Sequence, residues 1–168
     1  DRWWAWLLSN PTLGAKEGSC IRGARFAADA MHPTQLSVEE LHGLVLDVDE
    51  FGQQPIPIDQ APQEIARRLH GARHIVWTTY SSTPLAPRYR VILPLARPVP
   101  RRKYRKLWEF LNADLGYVVG EGQWNADRLG YMPRLPNEAA RQGYKWWIWE
   151  GPLFDAEVRF GELPETPD

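Results

Sequence analysis

Residues 44–51 read Leu44-Val45-Leu46-Asp47-Val48-Asp49-Glu50-Phe51, and no other stretch limits the folds open to this chain so strongly. The run of apolar residues predicts a strand buried on both faces, with two carboxylates two positions apart at its C-terminal end. Side chains alternate along a strand, so Asp47 and Asp49 share one side of it. Two acids on one face of a buried strand repel each other and lose hydration, which is costly unless a cation joins them. Hard oxygen ligands of this kind suit Mg2+ or Mn2+, ions that commonly work on phosphates. The pair reads as a divalent-metal site for nucleotide chemistry. The plainer alternative is a strand ending in a polar turn, where Asp is common.

At 168 residues the chain is long enough to bury a real core as one domain with an extension, placed here at residues 1–150 and 151–168. Its hydrophobic share of 43% and charged share of 24% are those of a soluble globular chain. A single cysteine, Cys20, excludes an intramolecular disulfide framework and fits a reducing cytoplasm. No apolar run approaches the roughly 18–20 residues that cross a bilayer, and no signal peptide is visible, so no membrane partner is expected. The start at Asp1 and the Pro- and acid-rich end suggest a domain cut from a longer protein. Nine tryptophans are an unusual number; core and hairpin packing is the expectation for most of them, although indoles also stack on bases.

The net charge of −1 conceals a local asymmetry. Arg88, Arg90, Arg97, Arg101, Arg102, Lys103, Arg105 and Lys106 follow one another with no acid between them. A near-neutral chain with one basic band and one acidic pair can bind a polyanion locally. A solvated helix face is the alternative for Arg101 to Lys106; Arg88 and Arg90 lie in a strand pattern instead.

The remaining pattern predicts α+β architecture, a mixed β-sheet with flanking helices. Arg2 to Leu8 reads as a short helix or strand laid on the core. Ser9 to Arg25 reads as loop, with Lys16, Arg22 and Arg25 as phosphate contacts. Ser37 with Glu40 resembles a capping box before the first core strand at 43–50. A helix is expected at about 62–71, a strand over His74 to Tyr80, a Ser81-Ser82-Thr83-Pro84 turn, and a strand over Arg88 to Leu95 ended by Pro98 and Pro100. Residues 101–115 predict a helix with Tyr104, Leu107, Trp108 and Leu111 as its apolar stripe, stopped by Gly116. Asp127 to Leu135 and Tyr144 to Trp149 complete the strands.

Four features then line up. Asp47 and Asp49 supply two ligands. The hydroxyl-rich turn Ser81-Ser82-Thr83 precedes Arg88 and Arg90, which share a face; hydroxyls and turn amides bind phosphate oxygens, and Arg binds them bidentately. Glu121-Gly-Gln-Trp-Asn-Ala-Asp127-Arg128-Leu-Gly-Tyr-Met-Pro133-Arg134 adds two candidate third acids and two more arginines. A third carboxylate from a distant strand is what a two-metal phosphoryl-transfer site requires.

This set resembles the archaeo-eukaryotic primase superfamily, most closely the primase-polymerase domains of phage, plasmid and other mobile replicons. Leu44 to Asp49 matches the family's hhhDhD/E strand. Pro87-Arg-Tyr-Arg-Val-Ile-Leu-Pro-Leu95 resembles its second motif, although Arg90 stands where the family usually carries a His. Asp127-Arg128-Leu-Gly-Tyr-Met-Pro133 resembles its third, an acid shortly before an R-x-x-x-x-P strand. The likeness spans roughly residues 40–136.

The resemblance implies an RRM-like catalytic core and template-directed nucleotidyl transfer. Asp47 and Asp49 with Asp127 or Glu121 would hold Mg2+ or Mn2+. Ser81, Ser82, Arg88, Arg90 and Arg128 would cradle a nucleoside triphosphate. Lys16, Arg101, Arg102 and Lys103 would follow a single-stranded DNA template, a salt-sensitive and sequence-tolerant contact. Two alternatives stay open: an inactive nucleic-acid-binding module of a replication protein, and a metal-dependent nuclease. No Walker-type loop is present, so ATP-driven translocation would need a separate helicase domain or subunit. His32, His42, His70 and His74 share no zinc-ligand spacing.

Overall fold

In the computed structural model, the first core strand is longer than its sequence pattern predicts, running eleven residues from Val38 to Val48. The structure describes residues 2–29, 31, 34–49, 55–116, 119–120 and 123–167. In chain order its elements are α1 (Arg2–Ser9), β1 (Thr12–Leu13), β2 (Cys20–Ile21), β3 (Ala24–Phe26), β4 (Val38–Val48), α2 (Ala61–Arg68), β5 (His74–Thr78), β6 (Tyr89–Pro100), α3 (Arg101–Asp114), β7 (Gly130–Tyr131), β8 (Arg134–Leu135), β9 (Trp146–Trp149) and α4 (Ala156–Phe160).

Five strands form the central sheet in the order β3-β4-β6-β5-β9, every pairing antiparallel. Among the described residues, parallel pairing, expected within a mixed sheet, is confined to the two-residue ladder β1–β8 and an isolated bridge between Leu95 and Phe154. The sheet faces divide as period-two alternation demands. Leu44, Leu46, Val48, Val76, Tyr89, Val91 and Leu93 point into the principal core, where α2 contributes Ile65 and α3 contributes Leu107 and Leu111. Val45, Ile75, Trp77 and Ile92 point the other way, into a smaller cluster with Leu8 of α1 and with Ile21 of β2. That second face is only partly covered, and the polar site lies on it.

Several expectations need correction. The Ser37–Glu40 capping box does not form: Ser37 ends a short 3-10 turn and its hydroxyl accepts from the Thr34 N–H at 2.8 Å, while Glu40 already lies in β4. β6 runs through Pro94 and Pro98 to Pro100 instead of stopping before them. Its pairing with β5 ends at Ile92; beyond it the side away from β4 meets Phe154 through the Pro94 carbonyl and the Ala96 N–H, so no β5 ladder bond is lost at the prolines. The strand expected over Asp127 to Leu135 is split by Pro133 into two-residue pieces. Neither piece joins the central sheet; β7 pairs with β2 and β8 with β1. Phe154, Ala156 and Leu163, from the segment read as an extension, are buried in the principal core.

One contact limits how closely β3 and β4 can be decorated. The Gly23 carbonyl accepts from the N–H groups of His42 at 2.7 Å and Gly43 at 3.1 Å. A Cβ at Gly23 would stand 1.9 Å from the Gly43 carbonyl oxygen.

On α2, Glu64 receives hydrogen bonds from Arg67 (2.9 and 2.7 Å) and Arg68 (2.7 Å), and these pull its carboxyl down to about 2. A depressed carboxyl contributes stability that is complete above its unfolded value, near 4.5, and is lost as pH falls toward 2. Glu64→Gln is therefore expected to melt below the parent at about pH 6 and level with it near pH 2, as checked by thermal denaturation across that range. Among the described residues no helix is long and apolar enough to cross a membrane.

Candidate functional site

Asp47 and Arg90 lie directly opposite each other on β4 and β6. The Asp47 N–H donates to Gln123 Oε1 at 2.7 Å and the Asp47 carbonyl accepts from Gln123 Nε2 at 2.9 Å, so both backbone groups face away from β6. The Asp47–Arg90 pair is thus of the non-hydrogen-bonded type, in which Cα atoms approach to about 4.5 Å and side chains are closest. The contact that results is bidentate: Arg90 Nε donates to Asp47 Oδ1 at 2.6 Å and Nη2 to Oδ2 at 2.9 Å. Arg90 Nη1 donates to the Tyr131 carbonyl at 2.8 Å, and Arg128 Nη2 donates to Asp47 Oδ2 at 2.6 Å. Side chains of Asp47 and Arg90 are only 13% and 12% exposed.

Burial on its own would raise the Asp47 carboxyl. The hydrogen bonds and charges of Arg90, then of Arg128, outweigh it and hold the group below the ordinary aspartate value. β7 lies flat on the sheet above this pair. Gly130 makes that possible, because a Cβ there would meet Val45 Cγ1 at 2.5 Å and Arg90 Cδ at 3.2 Å.

Two cavities flank the pair. The first is lined by Asp47 and Asp49 with Lys16, Ser81, Arg88 and Arg90, and also by Trp77, Thr79, Tyr80, Tyr131, Met132 and Arg134. It brings Asp47 and Asp49 together with Ser81 of the turn and with Arg88 and Arg90. The second lies across Asp47 and Arg90 and is lined also by Asp127, Arg128, Asn125, Lys16 and Arg22. Ser82 acts within the turn, its hydroxyl accepting from the Arg88 N–H at 3.0 Å. Glu121 lies outside the described residues.

Lys16 belongs with the nucleotide-binding candidates and not with the basic stretch of α3. Arg101 and Arg102 line a separate groove with Arg105 and Trp124, where the Arg105 guanidinium sits 5.0 Å from the indole centroid. Lys103 lines a different cleft, beside Arg97 and Asp155. Residues 124–128 form the wall between groove and site: Trp124 and Ala126 face the groove, while Asn125, Asp127 and Arg128 face the cavity beside Asp47. The sequence pattern does not mark Gln123, Thr79 or Tyr80, which the structure places at Asp47 and along the first cavity. For Thr79 and Tyr80 the adjacency to the Ser81 turn was an available signal; for Gln123, whose role depends on a contact 76 residues away, there was none.

The donor types suit a divalent ion, but the arrangement does not fit one. Both Asp47 oxygens are engaged by guanidinium nitrogens. Among the described residues no three His, Cys, Asp or Glu side chains are grouped so as to hold a metal.

The fold, a five-stranded antiparallel sheet with flanking helices, is similar to that of a solved structure, the AEP domain of the cyanophage S-2L primase-polymerase (PrimPol). The similarity has a TM-score of 0.58 at 13% sequence identity, over 86% of this chain and 69% of that one. No family model matches the sequence, and no curated protein does.

Proposed function

We propose that this chain is the nucleotidyl-transfer domain of a primase-polymerase from a mobile replicon, built on an RRM-like core and acting on nucleoside triphosphates along single-stranded DNA. The observation that carries the reading is one cavity lined together by Asp47, Asp49, Ser81, Arg88 and Arg90 on a sheet of AEP type. Arg88, Arg90, Lys16 and Arg128 take the triphosphate oxygens, with the turn at Ser81 and Ser82 shaping the floor. The groove along α3, with Arg101, Arg102 and Arg105 around Trp124, suits a strand whose phosphates are drawn to the arginines and whose base stacks on the indole. Mg2+ or Mn2+ on Asp47 and Asp49, with Asp127 or Glu121, belongs to this proposal only in an arrangement where the arginines have left Asp47. A helicase partner, as a separate domain or subunit, belongs to the same reading.

The test is extension of labelled primed and unprimed single strands with nucleotides and Mn2+ or Mg2+. Synthesis is expected, falling about 10²- to 10³-fold in Asp49→Asn. A second reading is favoured by the double arginine clamp on Asp47: a nucleic-acid-binding module without catalysis. It predicts strand binding unchanged in Asp49→Asn and no extension by either protein. Shortening of the labelled strand instead of growth identifies a nuclease.

A further inference from the structure

The clamp on Asp47 and the demands of a nucleotide are in direct conflict, and the conflict has a physical resolution. Arg90 commits three of its five N–H donors within the protein: the Nε/Nη2 fork to Asp47 and one Nη1 N–H to the Tyr131 carbonyl. It cannot offer its Nε/Nη2 fork to a phosphate without leaving the carboxylate. Arg128 holds Asp47 through Nη2, while its Nε is buried without a hydrogen-bond partner, so its present seat is incompletely satisfied. Around them Lys16, Arg22, Arg88 and Arg134 line the same two cavities, and among the described residues Asp47, Asp49 and Asp127 are the acids that oppose them. The surroundings are those of an anion site whose innermost anion is the protein's own.

We infer that Asp47 occupies the polyphosphate-binding position of Arg90 and Arg128, so that an incoming polyphosphate and Asp47 compete for the same two guanidinium groups. A triphosphate carries several charges against one and offers the planar forks more oxygens. As it takes the arginines, Asp47 is released from them with its oxygens free. This rests on the nucleotide reading given above.

The competition has a sign that can be read without any metal. Inorganic tripolyphosphate is titrated by calorimetry, in chelator, into the parent, Asp47→Asn and Asp127→Asn. Asp127 lines the cavity beside Asp47 and controls for the loss of one negative charge. Asp47→Asn is expected to bind about tenfold tighter than the parent and Asp127→Asn no more than about twofold tighter. If Asp47 serves instead to orient the arginines, Asp47→Asn binds equally or more weakly, and the inference fails. It fails also if neither protein binds tripolyphosphate, or if both variants gain equally.

Should Asp47→Asn not fold, Arg128→Gln decides. Removing one of the two contested guanidinium groups is expected to weaken tripolyphosphate binding about tenfold in the same calorimetric titration, and unchanged affinity overturns the competition. Synthesis by a parent whose Asp47→Asn form shows no tightening sinks the competition alone. Tightening without synthesis sinks the polymerase reading alone.

Discussion

Arg90→Ala is expected to destabilise the domain by about 3 kcal/mol, because removing one partner of a buried pair leaves the other charge uncompensated. For a chain of this size that is a fall in melting temperature of roughly 6–12 °C. The effect comes from three places: two hydrogen bonds to Asp47, one to the Tyr131 carbonyl, and the aliphatic stem under Gly130. Arg128 remains on Asp47 and limits the damage. Arg90→Lys restores the charge but not the fork, so it should recover less than half of the loss. Thermal melts of the three proteins in one buffer check this. Equal stability of Arg90→Ala and the parent would show that the clamp contributes nothing to the folded state.

Gly23→Ala is expected to cost about 3 kcal/mol or more, since over-packing against backbone cannot be relieved by a side-chain rotation. The added Cβ would lie 1.9 Å from the Gly43 oxygen and 2.5 Å from its carbonyl carbon, both main-chain atoms of β4. β3 must then move off β4, and the two hydrogen bonds from His42 and Gly43 to the Gly23 carbonyl go with it. Gly43→Ala is the matched control. Its Cβ would meet the Leu93 carbonyl oxygen at 3.4 Å, an ordinary contact, and the change should stay within about 1 kcal/mol, with the intrinsic difference between Gly and Ala in a strand favouring the variant. Urea denaturation separates the two, and similar midpoints for both variants would refute the steric account.

Much of this architecture was legible because local chemistry and tertiary packing agree. The helices at 61–68 and 101–114 follow their apolar periodicity, and Tyr104, Leu107, Trp108 and Leu111 are buried as the stripe demands. Gly116 adopts a φ of 76°, the left-handed conformation that stops a helix. β5 and the core of β6 follow from their β-branched and aromatic content. The prolines of β6 misled, because their tolerance depends on which neighbours a strand lacks at that point, a fact of topology. The stretch from Asp127 to Leu135 misled for a related reason: Pro133 divides it, and its partners β1 and β2 are too short to leave a periodic trace.

The site was legible in its parts and not in its wiring. Spacing alone puts Asp47 with Asp49, and Arg88 with Arg90, on common faces. What spacing cannot supply is register. That Asp47 stands opposite Arg90, 43 positions further along the chain, follows from the intervening segment folding back in one alignment. An acid pair read in isolation invites a metal; the same pair set across from arginine has a ready-made counter-ion. Arg128, arriving from 81 residues away, was assigned to phosphate and is found on Asp47.

The amide of Gln123 mimics a neighbouring strand at one point, filling both main-chain hydrogen-bonding positions of Asp47. A peptide seeking to augment the sheet there, or a second copy attempting domain exchange, finds those positions already taken. Assembly of this protein with others through strand addition is thereby steered away from its acidic centre, whichever surface such partners use.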